Sequence, residues 1–136
     1  MAILQEHIGT TIQAESLLFG KANVADANGS ALTVGDGDAY LMPYAGSVIA
    51  IAVRHNDDLT GGAITWTPTV NGTAKTALSA VTDDTHQQAY DTCEAYTIPF
   101  AAGAYIGAAY TKSGTVAPTT TDASVIVRVV YHEVNM

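Results

Sequence analysis

At 136 residues and a formal net charge of −8, with thirteen acids against five lysines and arginines, the chain lacks the clustered basic residues that nucleic-acid binding requires. Only 13% of its residues are charged while 48% are hydrophobic, against roughly 25% charged in an ordinary soluble domain. A fold of this mass exposes roughly 6,700 Å², too much for so few charges to clothe, so a large part of the surface is expected to lie against other chains.

The length suits one domain. The opening Met1–His7 carries no basic region followed by a long apolar stretch, so no leader is expected. The longest apolar run, Val48–Val53, is far short of the roughly 20 residues that span a bilayer, and no membrane contact is expected. Cys93 is the single cysteine; with no intrachain disulfide possible, synthesis in a reducing cytoplasm fits.

Thr, Val, Ala and Gly dominate over Lys, Glu and Arg, the composition of an all-β chain. Turn signals at Asn28-Gly29, Gly35-Asp36-Gly37, Gly61-Gly62, Asn71-Gly72, Gly103, Gly107 and Gly114 cut it into short strands, which predicts an antiparallel β-sandwich, jelly-roll-like. Residues 1–30 read as an N-terminal arm or edge strand. There Ile8, Ile12 and Leu17-Leu18-Phe19 hint at a helix that Gly9 and Thr10-Thr11 weaken. Residues 31–136 read as the sandwich domain.

Within it, Ser47–Arg54 is apolar on both faces, with Val48, Ala50 and Ala52 on one and Ile49, Ile51 and Val53 on the other. Ala63–Val70 and Thr73–Leu78 flank Asn71-Gly72 as a type I′ hairpin. Its first arm sets Ile64, Trp66 and Val70 opposite Thr65, Thr67 and Thr69, and Pro68, which cannot donate to a ladder, predicts an edge or a bulge. Ala95–Phe100 and Ala104–Tyr110 read as strands joined by Ala101-Ala102-Gly103, and Lys112–Asp122 as a loop. The last strand, Ser124–His132, again has two apolar faces: Val125, Val127, Val129 and Tyr131 against Ile126, Arg128, Val130 and His132. A half-solvated strand should alternate apolar and polar, so both faces are expected to be covered, by a second sheet plus a loop or by a neighbouring subunit, which the sparse surface charge favours.

The chemistry-bearing residues nominate no enzyme. His55 near Asp57 and Asp58, and His132 before Glu133, make no zinc spacing, and read as strand-end histidines rather than as ligands shared across a symmetry axis. Asp36-Gly37-Asp38 begins like a calcium loop, but Tyr40 and Met42 occupy the next donor positions, which leaves a turn. Cys93 lies in no nucleophile motif, and Glu94 beside it is expected to raise its pKa. No carboxylate pair or phosphate loop is marked, so no cofactor and no metal are expected. Trp66 belongs with the core, whereas Tyr40, Tyr44, Tyr105 and Tyr110 suit interface anchoring.

Gly46–Arg54 with Ala63–Gly72, and Ile98–Gly107 with the terminal Ser124–Tyr131, resemble small all-β bacteriophage head decoration (cement) proteins and fibre head domains. The resemblance covers roughly the C-terminal two thirds and is one of pattern; related sequences often carry Gly-Asp where this chain has Gly103-Ala104. It implies a virion structural protein on the outer capsid surface, made in the host cytoplasm. A homotrimer would bind the phage major capsid protein and stabilise the shell. The alternative is a receptor- or glycan-binding head of a tail or head fibre. The expected oligomer interface comprises Ile126, Arg128, Val130, Tyr105 and Tyr110, and the expected capsid-contact arm Ile3, Leu4, Ile8 and Ile12.

Overall fold

A computed structural model describes residues 10–11, 13–21, 39–132 and 134–135. Among them it contains strands and no helix: β1 (Thr10–Thr11), β2 (Ala14–Lys21), β3 (Tyr40–Leu41), β4 (Gly46–His55), β5 (Gly61–Val70), β6 (Thr73–Ala74), β7 (Ala80–Asp83), β8 (Gln88–Thr92), β9 (Pro99–Phe100), β10 (Tyr105–Ala117), β11 (Ala123–Tyr131) and β12 (Val134–Asn135). All pairings are antiparallel. The first sheet runs β2-β11-β4-β8, with β9 also on β4; the second runs β3-β10-β5-β6, with β7 also on β5. A small ribbon pairs β1 with β12. The fold is a β-sandwich.

The core lies between the two sheets. From the first come Val48, Ile51, Val53, Val125, Val127 and Val129, and from the second Ile64, Trp66, Ile106, Ala108 and Tyr110, all under 5% exposed. Residues 14–21 form the edge strand of the first sheet, paired to β11 along their whole length. Leu17 and Phe19 point into the core and Leu18 away from it.

The Asn71-Gly72 turn has positive φ at both residues (51° and 82°), as a type I′ hairpin demands. Beyond it, β6 is only two residues long, and β7 takes over the pairing with β5. Pro68 therefore lies in a strand paired on both sides, not at an edge. Its carbonyl accepts the Lys75 N–H at 2.9 Å, on the side where the partner changes between β7 and β6. The missing N–H costs nothing there.

Three further expectations are corrected. In β4, Arg128 pairs with Ala50 but Val129 with Val48, so Ile49 is an extra, bulged residue. The bulge brings Val48 onto the same face as Ile51 and Val53, which the even spacing had split. Second, Lys112–Ala117 is strand rather than loop, because β10 continues to Ala117. A register shift after Ser113 makes this possible, with Gly62 and Gly114 facing each other at φ 74° and 75°. A Cβ on Gly62 would meet the Thr115 backbone at 2.9 Å. Gly62 and Gly114 mark strand irregularity and close packing rather than chain reversal, and Gly107 sits inside β10, regularly paired with Thr69. Third, Ala95–Phe100 is mostly a turn, and only β9 pairs.

Candidate interaction surface

The outward positions of the first sheet form one continuous face. Register places Leu18 beside Ile126, Ile126 beside Ala52 and Ala52 beside Tyr90, a row crossing four strands. Leu18 is 60% exposed, Ile126 42% and Tyr90 79%. The rows on either side are more polar: Ser16–Arg128–Ala50–Thr92 and Gly20–Ser124–Arg54–Gln88. Because Ala52 is small between Ile126 and Tyr90, the face sinks into a trough of about 550 Å³, also lined by Arg54, Gln88, His86 and Ser124.

Both arginines of the chain stand on this face. Arg128 donates to Ser16 Oγ at 3.0 Å, and Arg54 donates to Gln88 Oε1. No carboxylate occupies an outward position among the described strand residues of this sheet: Asp91 points inward and accepts the Ser79 N–H at 3.0 Å, and Glu15 lies beside Tyr131.

Five of the eight described acids gather at one end of the sandwich. Asp57 and Asp58 follow β4, Asp83 and Asp84 join β7 to β8, and Asp122 precedes β11. These connections are tied together by Asn56 N–H to Asp122 O at 3.1 Å and His55 N–H to Gln87 O at 3.0 Å. Asp83 is held at about 2 by the His86 ring at 2.9 Å, and by the Thr85 hydroxyl and N–H.

Of the residues expected at an oligomer interface, Ile126, Arg128 and Val130 share this outer face. Tyr105 does not join them; it is 46% exposed on the second sheet, paired with Leu41. Tyr110 is corrected: it is 1% exposed and packs in the core, its ring 5.1 Å from that of Trp66. Tyr40 packs edge-on against Phe19, and its hydroxyl donates to Leu18 O. Ile3, Leu4, Ile8 and Ile12 lie outside the described residues. Tyr90, Leu18 and Arg54 were not foreseen. The available signal was the alternation of Gln88-Ala89-Tyr90-Asp91-Thr92, where Tyr90 shares the polar side.

The histidines have long-range partners. His132 Nε2 lies 2.6 Å from Ser47 Oγ, which also accepts the Tyr96 N–H at 2.8 Å, and the Tyr96 ring stacks on His132 at 4.0 Å. The distance would suit a nucleophile and its base, but Ser47 is 0% exposed, so no substrate reaches it. The pair latches the 93–98 turn to β4 and the end of β11. Cys93 joins the latch, donating to Val48 O at 3.4 Å. Burial raises its pKa first and Asp91 second, rather than the neighbouring Glu94. Among the described residues no three His, Cys, Asp or Glu side chains converge as a metal site.

His55 is 0% exposed. Its Nε2 lies 2.7 Å from Thr82 Oγ1, which accepts Trp66 Nε1–H at 3.0 Å, and its Nδ1 lies 3.5 Å from Thr121 Oγ1. Burial lowers its pKa. The unfolded chain therefore takes up this proton first as pH falls. The stability conferred by the neutral ring is complete above about pH 6.5 and is lost toward the folded pKa. A urea midpoint that falls between about pH 7 and about pH 5 is the expected result, before the Asp83 carboxylate begins to protonate. A flat midpoint across that window would contradict it.

The chain matches no protein-family model, and comparison with curated proteins finds no match.

Proposed function

We propose that this chain is a structural protein of a bacteriophage head, a decoration protein that assembles as a trimer on the outside of the finished shell. One observation carries the reading most of the way: an outer sheet face with an apolar row and both arginines, which the described residues of its own subunit leave bare and on which none of them sets a strand carboxylate. Aromatic, aliphatic and arginine side chains framed by polar ones are the make-up of a docking surface. The sparse charge of the whole chain points the same way, and the virion setting comes from the resemblance of Gly46–Gly72 and Ile98–Tyr131. The mechanism is linkage, since a protein that binds only the assembled shell stabilises it by its binding free energy.

The fibre-head reading has one observation in its favour. Tyr90 presents an open ring in a trough beside Arg54, Gln88 and His86, an arrangement that stacks and hydrogen-bonds a sugar. Copy number in purified virions, measured by quantitative mass spectrometry against the major capsid protein, separates the two. Lattice-scale abundance is expected for a decoration protein. A handful of copies means a fibre component, and absence from the particle overturns both.

A further inference from the structure

We infer that the outer face of the first sheet receives the acidic end of a second copy of this chain, a head-to-tail contact that closes into a ring. The inference rests on the reading of that face as a docking surface, and it names the occupant.

Charge decides the occupant. The face carries Arg54 and Arg128 with no outward strand carboxylate, inside a chain of net charge −8. A two-fold contact of this face with itself would bring four guanidinium groups together in a partly dry interface, and such like-charge juxtaposition costs several kcal/mol. The complementary surface must therefore be acidic. The chain owns one: the end where Asp57, Asp58, Asp84 and Asp122 sit on adjoining turns and outnumber the neighbouring Lys21. A subunit carrying both halves of a complementary pair at different places makes heterologous contacts.

Geometry agrees. The face looks perpendicular to its strands, whereas the acidic end looks along them. With about a right angle between the two surfaces, successive copies turn sharply, which suits closure into a small ring where the twist about the contact is small. Four strands about 4.8 Å apart and about eight residues long give a face of roughly 19 by 26 Å. At about 500 Å² it falls short of the roughly 800 Å² per side of a standard interface, the size of a weak contact that a closed ring would have to reinforce. At its centre the trough between Tyr90 and Ile126 offers an apolar seat, with an arginine on each flanking row.

The test is charge exchange, read by analytical ultracentrifugation of the purified chain. The wild type should sediment as a closed oligomer that loosens with salt. Arg128→Glu alone, and Asp57→Lys with Asp58→Lys alone, should each raise the dissociation constant roughly a hundred-fold. Arg128 is chosen because Arg54 adjoins the acidic end of its own subunit. All three substitutions together should recover association, which a mere loss of folding cannot imitate, and circular dichroism checks each variant. A wild type that is monomeric at tens of micromolar (about a weak interface's range) would overturn the inference. So would indifference to the Asp57 and Asp58 reversal, or a triple variant that stays apart. Failure of the virion reading is distinguishable: rings without virion incorporation retain the inference and remove the phage setting, while a monomer abundant on virions does the reverse.

Discussion

Val127→Asp is expected to abolish the folded subunit, whereas Ile126→Asp, one residue earlier on the same strand, is expected to leave it intact. Val127 is 0% exposed between the two sheets, and Ile126 is 42% exposed on the outer face. Burying an unpaired carboxylate costs several kcal/mol even after relaxation. The lost valine burial adds about 1.5–3 kcal/mol, and together these consume most of the roughly 5–15 kcal/mol that holds a domain of this size. The outer substitution removes no core contact and should change subunit stability by less than about 1 kcal/mol. Its effect should appear in assembly instead, by placing a carboxylate in the apolar row between Leu18 and Ala52. Circular dichroism melts measured beside sedimentation separate the two. A cooperative melt for Val127→Asp close to wild type would refute the inward assignment of this strand.

That contrast marks where the sequence was informative. The alternation of Val125, Val127, Val129 and Tyr131 against Ile126, Arg128 and Val130 gave the two faces of β11 correctly, because a strand without bulges keeps a period of two. The same reasoning failed on β4. The unpaired Ile49 shifts the phase, and nothing in a run of Val, Ile and Ala says which residue is extra. The Asn71-Gly72 turn was legible because its backbone demand is local and specific. The extent of β10 was not, because Gly114 has the same letter in a turn as in a bulge. Half of the candidate surface was legible in the same sense. Ile126, Arg128 and Val130 follow from one strand's alternation, but the row through Leu18, Ala52 and Tyr90 needs the register of three strand pairs. The gathering of acids at one end likewise needs to be known from which connections lie together. Tyr110 shows the limit from the other side. A tyrosine on an apolar strand suits a core or an interface equally well by composition, and only its packing against Trp66 assigns it inward.

Trp66→Ala should produce the largest loss among apolar truncations. The indole is 0% exposed, tilts against Tyr110 at 5.1 Å and meets the His55 ring edge-on at 5.6 Å, and Nε1–H donates to Thr82 Oγ1 at 3.0 Å. Truncating such a side chain typically costs about 3–5 kcal/mol, because the surroundings collapse only partly into the cavity. Trp66→Phe isolates the polar share: most of the ring volume remains, but Thr82 Oγ1 loses its donor, at a net cost of about 0.5–1.5 kcal/mol. The two variants should also differ in pH response. In Trp66→Phe the apolar cover over His55 is largely kept, so its proton stays excluded and the urea midpoint still falls as acid is added. In Trp66→Ala, water admitted to the cavity solvates the imidazolium and lifts the folded pKa toward the unfolded one, which flattens the dependence. Urea titrations of the three proteins at neutral and mildly acidic pH test this. Equal pH slopes in all three would mean that the neutrality of His55 rests on Thr82 and Thr121 alone, with the indole contributing only bulk to the core.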